Sequence, residues 1–355
     1  MIKSNSILEI NTKNLIYNYK ALSKISYNSL CAATVKADAY GIGVIEIIEI
    51  LEKNKCKHFF VATLEEALLI RKKKKNIILY ILNGMESHSL LIFKKNKLIP
   101  IINSIKELKF LIKNNNFKQP IKYGLHIDTG LNRLGISINE LHLFDSTKLK
   151  LEILISHLSS ADEITNNCNI VQNNKFKKVL KYFKKIKYIS LSNSMGIMLG
   201  NEYYYDLVRP GISLYGGHFY TKMKSIIKPV ICLKGKVLQI KEVNKNEFIG
   251  YNQTFKTTKK IQIAIIGIGY ADGISRILSN RGKVYYKDKS YKIIGRVSMD
   301  SITIDITKNH QKIKEGVYLE LINHEYGIDY YAKKINTICD EVLTSISKRV
   351  KRVYI

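Results

Sequence analysis

The stretch Leu30-Cys-Ala-Ala-Thr-Val-Lys36 is the first of a series of short apolar runs, and it ends at a lysine. Apolar runs of this kind recur up to residue 208, and the longer segments between them carry apolar residues at helical spacing. Eight runs are predicted as strands, at residues 30–35, 58–62, 77–81, 98–102, 121–127, 151–156, 187–191 and 205–208. Eight strand–helix units of this length predict an α/β fold, a (β/α)8 TIM-type barrel rather than an open doubly wound sheet.

Two of the predicted helices carry recognisable start signals. Ser104-Ile-Lys-Glu107 matches the Ser/Thr-x-x-Glu capping box, in which a side chain accepts from the free amides of the first helical turn. Asn11 or Thr12 could cap an earlier helix in the same way.

Beyond Pro229 the pattern changes to strand-like runs that follow one another directly. They are predicted at residues 230–243, 261–266, 283–286, 291–297, 301–306 and 317–322. Turns rich in Gly, Asn and Asp separate them, and an amphipathic stretch at 328–346 follows. We therefore expect a barrel domain of residues 1–225 and a mainly β C-terminal domain of residues 226–355.

The charge balance raises a nucleic-acid hypothesis that the composition weakens. The chain has 58 basic and 29 acidic residues, a formal net charge of +29. Only eight of the basic residues are arginine, and lysine is accompanied by abundant Ile, Asn and Tyr. AT-rich codons spell all four of these residues, whereas surfaces that read bases or clamp phosphates favour arginine. A basic nucleic-acid-binding protein is the less favoured alternative.

Several other protein classes lack their sequence signals. The five cysteines form no C-x-x-C pair, and no H-E-x-x-H or Walker motif is present, so we expect neither a disulfide framework nor a metal site. The longest nearly uninterrupted apolar run, 263–270, is far too short to cross a bilayer, and the first residues lead into no apolar stretch of signal-peptide length. The sequence predicts a cytoplasmic protein without membrane or nucleic-acid partners.

Reactive side chains collect where the predicted barrel strands end. Lys36 ends the first strand, and Arg133, His157, Ser194 and Arg209 follow the fifth, sixth, seventh and eighth. Because a barrel places its active site at the carboxyl ends of its strands, these residues are expected on one rim. A lysine at such a position alone more often reaches out to solvent than reacts.

A phosphate cradle is predicted opposite the lysine. The backbone amides of Gly211 and Ile212, with Ser194 nearby, lie where the last barrel loop meets a helix start, a common phosphate position. A phosphate cradle that faces a strand-end lysine suggests pyridoxal phosphate, whose aldehyde needs an amine. Arg209 would then face the ring nitrogen of the cofactor.

Eight motifs together carry a family resemblance. They are Val35-Lys-Ala-Asp-Ala-Tyr-Gly, residues 128–135, His157, residues 192–196, Arg209-Pro-Gly-Ile-Ser-Leu-Tyr-Gly, Gly250-Tyr-Asn-Gln-Thr-Phe, Ile268-Gly-Tyr-Ala-Asp-Gly and Gly295-Arg-Val-Ser-Met-Asp. In order and spacing they resemble the motifs of the alanine racemases over essentially the whole chain. That family's architecture, a barrel followed by a β domain, agrees with the pattern above.

The resemblance implies two catalytic bases. Lys36 resembles the lysine that holds pyridoxal phosphate, and Tyr251 resembles a second base that reaches in from the partner subunit of a homodimer. Racemisation removes a proton from one face of the α-carbon and delivers one to the other, which favours a base on each face. Tyrosine needs help to act as a base near neutral pH, and His157, next to Arg209, resembles the group that provides it.

The resemblance also implies binding roles. Tyr40 and Ser194 resemble phosphate ligands, with Gly211 and Ile212 completing that set. The residues that resemble the substrate-carboxylate region are Arg133, Met299 and Asp300. Those that resemble the substrate entrance are Tyr270, Arg276 and Arg296, with Asp340 beside them.

Two positions depart from the family pattern. His126 stands where many members carry a lysine, often carbamylated, that orients the arginine matched here by Arg133. Asp340 stands where a tyrosine usually contacts the phosphate and narrows the pocket. The first change leaves open what holds Arg133, and the second predicts a roomier, more polar pocket.

The implied function is pyridoxal-phosphate-dependent interconversion of L- and D-alanine, which supplies D-alanine for peptidoglycan. A serine or broad-specificity racemase of the same fold is the main alternative because of Asp340. A basic amino-acid decarboxylase would need a cysteine site in the second domain, and a non-catalytic binder of the cofactor would lack that domain.

Overall fold

The computed structural model describes residues 4–218 and 225–355. Within these ranges the chain divides into two compact units. Of the described residues, the barrel unit comprises 16–214, 218 and 225–227, and the β unit comprises 4–15, 215–217 and 228–355. The first strand, β1 (Ser6–Ile10), belongs to the β unit.

The barrel unit contains the eight predicted strand regions, and that prediction is confirmed. Its strands are β2 (Leu30–Cys31), β3 (Ala33–Thr34), β4 (His58–Val61), β5 (Ile78–Ile81), β6 (Ile99–Ile102), β7 (Gly124–Asp128), β8 (Ile136–Ser137), β9 (Lys150–Ile155), β10 (Lys185–Ser190) and β11 (Leu207–Val208). They run parallel in the order β10-β9-β7-β6-β5-β4-β3, and β11 pairs with β2. The amide of Asp206 donates to the carbonyl of Ile189 (3.0 Å), which links β11 to β10 and closes the circle.

Helices alternate with these strands. Their bounds are Thr12–Ile25, Val44–Lys53, Leu64–Lys73, Leu90–Lys95, Ile105–Asn114 and Asn167–Leu180. Ser104 Oγ accepts the Glu107 amide (3.2 Å), so the predicted helix start is confirmed. At the earlier helix, Asn11 Oδ1 accepts the Asn14 amide (2.9 Å), so Asn11 rather than Thr12 provides the cap.

Apolar side chains from alternate positions of the strands fill the barrel. The Phe60 and Tyr80 rings stack with centroids 4.5 Å apart, and both are fully buried. The surrounding cluster comprises Ala32, Ile99, Ile101, Ile153, Ile155 and Leu207. Removing a buried ring of this kind costs about 3–5 kcal/mol, so this core fixes the strand ends on which the site depends.

The β unit is built around one long strand. Its strands beyond β1 are β12 (Ile231–Val243), β13 (Phe248–Ile249), β14 (Phe255–Lys256), β15 (Ile261–Ile266), β16 (Lys283–Tyr286), β17 (Lys289–Lys292), β18 (Ile302–Asp305), β19 (Tyr318–Ile322) and β20 (Lys351–Tyr354). The main sheet has the order β17-β16-β19-β12-β1-β20, and β15 joins β12 to β18. The mainly β character predicted for this part of the chain is confirmed.

The N-terminal segment differs from the expected domain division. A boundary at residue 225 assigns residues 1–15 to the barrel, whereas the structure groups them with the β unit. The physical reason is that β1 pairs antiparallel with β12 and parallel with β20, which satisfies its backbone polar groups on both edges. The segment 219–224 next to the expected boundary lies outside the described residues.

One strand in the β unit was predicted too long. The strand expected at 291–297 ends at Lys292 and continues as a single bridge from Ile293 to Ile304, because Gly295 turns the chain with a φ of 72°. The amphipathic stretch at 328–346 forms two helices, Ile328–Lys334 and Cys339–Ser345. Asn336, with a φ of 55°, lies in the break between them.

None of the helices in the described residues combines the length and the apolar character that a bilayer-spanning helix needs.

Candidate active site

Lys36 begins a turn of left-handed helix directly after the first barrel strand. The turn spans Lys36–Tyr40, and Ala37, Asp38 and Ala39 all have φ and ψ near +50°. Tyr40 has a φ of 58°. Left-handed conformation costs a non-glycine residue roughly 1–2 kcal/mol, so four successive residues store several kcal/mol of strain. Strain of this kind persists only where surrounding contacts impose it, and it concentrates at functional sites.

Glu66 is one of the residues that impose this conformation. Its Oε1 accepts the amide of Ala37 (2.6 Å), the residue after the lysine, while its Oε2 accepts the amide of Ala62 (2.7 Å). Glu66 also closes a capping box with Thr63 at the start of the helix Leu64–Lys73. Sequence reasoning missed this residue, although Thr63-Leu-Glu-Glu66 carries the same capping signal as Ser104–Glu107.

The far end of the turn meets the predicted phosphate cradle. A Cβ at Gly211 would collide with the Tyr40 hydroxyl, so only glycine allows this approach. Ser194 Oγ accepts the amides of Gly211 (2.9 Å) and Ser213 (3.2 Å). Among the described residues the Ser213 hydroxyl is buried without a hydrogen-bond partner. Ile212 is also buried, so the predicted members of the cradle lie together.

Arg209 lies 5% exposed inside the barrel unit. Its Nη2 donates to the carbonyls of Ser156 (2.7 Å) and Leu191 (3.4 Å), and its Nη1 donates to the hydroxyl of Ser190. The guanidinium carbon lies 5.8 Å from the centre of the Phe60 ring. Burial lowers the pKa of Arg209 to about 10, so the group remains protonated at neutral pH.

Two histidines near Arg209 are held neutral. Burial, reinforced by the charges of Arg209 and Arg133, lowers the pKa of His157 well below its ordinary value. Burial and the charge of Arg209 lower the pKa of His126 to about 4. Lys36 also contributes to the shift at His157, which places the lysine, both histidines and both arginines in one electrostatic neighbourhood.

The hydrogen bonds around His126 determine which of its ring nitrogens carries the hydrogen. Nδ1 of His126 lies 2.9 Å from Oδ1 of Asn103. The Nδ2 of Asn103 already donates to the carbonyls of Leu82 and Ile101, so its Oδ1 is the acceptor and His126 Nδ1 carries the hydrogen. Nε2 is therefore an acceptor. Asn103, which lies at the end of the neighbouring strand, was not predicted.

Arg133 is not held within the described residues. Its guanidinium is exposed, and no hydrogen bond or ion pair of it is present in this part of the chain. Gly135, with a φ of 114°, folds the same loop back over the His126 ring, which a Cβ there would approach at 3.1 Å. A neutral acceptor thus occupies the place where the family resemblance suggested an anion.

Gln172, on the helix Asn167–Leu180, connects two loops of the barrel rim. Its Nε2 donates to Thr129 Oγ1 (3.3 Å) and to the carbonyl of His157 (3.1 Å), and its Oε1 accepts the amide of Ser159 (2.8 Å). Thr129 in turn bonds Ser156 (2.8 Å). Gln172 was not predicted, because a lone polar residue on a helix gives no signal in the sequence.

Tyr251 lies in the β unit, at the tip of a hairpin formed by β13 and β14. A short 3-10 turn, Tyr251–Gln253, carries it, and 68% of the residue is exposed. A Cβ at Gly250 would lie 3.0 Å from the amide nitrogen of Arg296, so the turn rests directly on the loop of Arg296. The tyrosine is therefore presented outward from a supported turn.

Two further loops of the β unit carry Tyr270 and Met299. The amide of Tyr270 donates to the carbonyl of Ser298 (3.0 Å), and the amide of Ala271 donates to the carbonyl of Met299 (3.0 Å). Both predicted residues are well exposed, at 43% for Tyr270 and 53% for Met299.

An ion-pair bridge holds these two loops together. Nε of Arg349 lies 2.9 Å from the buried carboxylate of Asp272, and its Nη2 lies 2.7 Å from the carboxylate of Asp300. The pKa of Arg349 is raised, mainly by its hydrogen bond to Asp300. Asp300, predicted to bind substrate, thus contacts Arg349 in this structure.

Arg276 and Arg296 line one open cleft of about 390 Å³ in the β unit, together with Thr254, Ser279 and Asn280. Asp340 lies half-buried in the first turn of the helix Cys339–Ser345. The structure therefore brings together the two arginines that the sequence predicts at a substrate entrance.

The cysteines of the β unit do not form a reactive site. Cys232 and Cys339 are both buried, and burial raises the pKa of each thiol far above neutrality. Among the side chains that the structure describes, which exclude those of residues 309–311, no group of three or more His, Cys, Asp or Glu could hold a metal ion.

Comparisons with known proteins agree along the whole chain. Residues 10–218 match the alanine racemase N-terminal domain, and residues 230–354 match the alanine racemase C-terminal domain. Alanine racemase from Rickettsia canadensis is 40% identical over 98% of this chain and 98% of its own.

Solved structures show the same likeness. Alanine racemase from Bartonella henselae, which holds covalently bound pyridoxal phosphate, has a TM-score of 0.93 and 34% identity and covers 99% of this chain and 100% of its own. Alanine racemase from Acinetobacter baumannii has a TM-score of 0.90 and 29% identity, with coverage of 99% and 100%.

Proposed function

Because this chain belongs to the alanine racemase family, we propose that it is a pyridoxal-phosphate-dependent racemase that interconverts L- and D-alanine and supplies D-alanine for peptidoglycan. The observation that carries the proposal is the left-handed turn, which starts at Lys36 and ends with the Tyr40 hydroxyl against Gly211. One strained turn thus joins the cofactor lysine to the phosphate cradle.

The residues of the cradle fit the phosphate of this cofactor. Gly211 leaves room that any Cβ would fill, and the Ser213 hydroxyl is a buried donor that lacks a partner in the described residues. Amides that now donate to Ser194 lie in the same short segment. Once bound, pyridoxal phosphate supplies the electron withdrawal that makes the α-hydrogen of an amino acid acidic.

Lys36 holds the cofactor covalently and acts as the base on one face of the substrate. The strained backbone that follows it limits the positions its side chain can reach. Burial, reinforced by the charges of Arg209 and Arg133, lowers the pKa of His157 in the same neighbourhood as Lys36. Attachment of the cofactor and proton removal both require the amine in its neutral form.

Arg209 faces the ring nitrogen. Burial lowers its pKa only to about 10, so it donates a hydrogen bond without giving up its proton. The carbonyls of Ser156 and Leu191 fix its orientation. Because Arg209 keeps its proton, it would leave the ring nitrogen unprotonated, which would favour racemisation over transamination.

Tyr251 is the second base, and it serves the active site of a partner subunit in a homodimer. Its exposure on a supported turn suits a side chain that works in a neighbouring chain. The substrate carboxylate would be bound by Arg133 and the backbone amide of Met299, and His126 Nε2 offers Arg133 a neutral acceptor.

A serine or broad-specificity racemase is the second candidate, and Asp340 is the observation that favours it. A short carboxylate in place of a ring leaves more space and adds polarity beside the substrate side chain. The decarboxylase alternative is disfavoured, because the two cysteines of the β unit are buried with raised pKa values.

The proposal is tested with purified protein and pyridoxal phosphate. We expect a visible absorption band that borohydride abolishes, and mass spectrometry should find the reduced label on Lys36 among the 50 lysines of the chain. L-alanine and D-alanine should each be converted to the racemic mixture. Absence of the band, a label on another lysine, or conversion of neither enantiomer would contradict the proposal.

A further inference from the structure

The side chain of Asn280 connects the turn that carries Tyr251 to a second loop. Its Nδ2 donates to Thr254 Oγ1 (3.2 Å) and, more weakly, to the Thr254 carbonyl (3.4 Å), at the end of that turn. Its Oδ1 accepts the amide of Gly295 (2.6 Å), next to Arg296. One exposed asparagine thus uses both ends of its amide to join two loops.

The backbone of Asn280 strengthens this connection. Its amide donates to the carbonyl of Gly295 (3.2 Å), and its φ of 58° lies in the left-handed region that asparagine tolerates better than most residues. The preceding Ser279 Oγ donates to the Arg276 carbonyl (2.6 Å) and accepts the Val297 amide (3.0 Å). Ser279 and Asn280 therefore connect three segments: the turn that ends at Thr254, the loop of residues 295–297, and the turn that begins at Arg276.

Tyr251 has few other restraints within its own unit. The residue is 68% exposed, so side-chain packing in the β unit does not hold the ring, and the backbone of the turn must set its direction. The turn includes Asn252 and Gln253, both with positive φ. Such a turn keeps one shape only when contacts at its ends determine it.

We propose that Asn280 is a positioning residue for proton transfer at Tyr251. This inference rests on the proposed function, because it concerns the step in which Tyr251 exchanges a proton with the α-carbon. Proton transfer depends on the distance between the phenolic oxygen and that carbon, and a misplacement of about 1 Å can cost on the order of a hundredfold in rate. Asn280 touches neither substrate nor cofactor in this role.

The test compares Asn280→Gly with the matched control Asn246→Gly. Glycine adopts the same positive φ without strain, so only the side-chain bonds are lost. Asn246 is also an exposed residue with a positive φ (69°) in the β unit, but its side chain forms no hydrogen bond within the described residues. We expect a roughly tenfold lower kcat for Asn280→Gly, with little change in KM or cofactor binding, and wild-type kinetics for the control.

Deuterium isotope effects separate positioning from general damage. With α-deuterated L- and D-alanine, slower transfer at Tyr251 should raise the isotope effect for the enantiomer whose α-hydrogen Tyr251 removes. The effect for the other enantiomer should fall, because Lys36 removes its hydrogen in a step that no longer limits the rate. A lower kcat with both isotope effects unchanged would mean that active protein has simply been lost, and would overturn the inference.

Thr254→Val tests the same connection from its other end, because it removes the Oγ1 that accepts from Asn280 Nδ2 at nearly constant side-chain volume. We expect it to shift the isotope effects in the same direction by a smaller amount, and to add little in the double variant with Asn280→Gly. Wild-type kcat and isotope effects in Asn280→Gly would overturn the inference while leaving the racemase intact. An inactive wild-type protein would overturn the proposed function and the inference with it.

Discussion

Lys36 and Tyr251, the two proposed bases, lie in opposite kinds of surroundings. Around Lys36, burial and neighbouring cations keep His126 and His157 neutral, and a strained turn is fixed by a carboxylate. Tyr251 lies on an exposed hairpin tip, and glycine and asparagine turns with positive φ support it.

The difference shows which kind of change each region tolerates. The barrel site depends on desolvation, so changes of charge or volume there should affect both stability and chemistry. The hairpin depends on backbone geometry and hydrogen bonds, so changes there should leave the fold intact and affect the rate alone.

The largest expected effects come from removing each base. Lys36→Ala should lose covalent cofactor attachment and all measurable racemisation, since holding and proton transfer use the same amine. Tyr251→Phe should keep the cofactor band and lose turnover by about a factor of a hundred or more, the usual scale of general-base catalysis. Absorption spectra measure cofactor attachment, and racemisation rates measure turnover, in both variants. A Tyr251→Phe protein that loses its cofactor would contradict the expectation that only the Lys36 region holds the cofactor.

Arg209→Glu tests the dependence of the barrel site on buried charge. A carboxylate there would stabilise a ring nitrogen that has taken a proton from solvent, and it would leave the carbonyls of Ser156 and Leu191 without their donor. We expect slower racemisation, a higher ratio of transamination to racemisation, and a lower melting temperature. Arg281→Glu makes the same charge change at an exposed position and should have none of these effects. An unchanged reaction ratio would show that Arg209 does not contact the ring.

The buried histidines give a pH prediction. Burial lowers the pKa of His126 and of His58 to about 4, from an ordinary 6.5. Each imidazole is neutral in the folded chain but takes up a proton in the unfolded chain below about pH 6.5, so stability that is present above pH 6.5 is lost as the pH falls towards 4. His126→Gln and His58→Gln should each reduce the acid dependence of the unfolding free energy.

The two substitutions should differ in activity. His58 lies at the start of β4, where its Nδ1 contacts the Tyr80 hydroxyl (3.0 Å), so His58→Gln should leave racemisation near the wild-type rate. His126→Gln should raise the KM for alanine several-fold, because it disturbs the acceptor offered to Arg133. Denaturant titrations between pH 4 and 8, with alanine kinetics at pH 8, make the comparison. Equal kinetics in the two variants would contradict a role for His126 near the substrate.

The smallest expected effect concerns Asp340. Asp340→Tyr should narrow the pocket and raise the preference for alanine over serine about fivefold, within the range that one changed pocket contact usually gives. Glu341→Tyr adds the same ring at the adjacent exposed residue and serves as the control. Equal ratios of alanine to serine activity in the wild type and in Asp340→Tyr would show that Asp340 does not contact the substrate side chain.

The barrel was predictable because its strands are continuous apolar runs bounded by polar segments. The position of β1 in the β unit could not be predicted. Its five residues join that sheet only by pairing with β12 and β20, which lie more than 200 residues away in the chain. Long-range pairing of this kind leaves no local pattern in Ser6–Ile10.

The candidate site was likewise predictable only in part. The closeness of Lys36, Arg209 and the predicted cradle follows from the convergence of strand ends in a barrel, while their roles stay predictions. The left-handed turn could not be predicted, because Ala37, Asp38 and Ala39 lack the glycine that normally signals such backbone. Glu66, Asn103 and Gln172 act through contacts between neighbouring units of the barrel, which sequence spacing does not reveal.

The most direct test of the account is to mix the two inactive proteins, Lys36→Ala and Tyr251→Phe, under conditions of subunit exchange. If each active site takes Lys36 from one chain and Tyr251 from the other, half of the dimers are mixed, and each holds one intact site. The account predicts recovery of about a quarter of the wild-type activity after exchange. No recovery, with exchange verified by differently tagged chains, would contradict an active site shared between subunits.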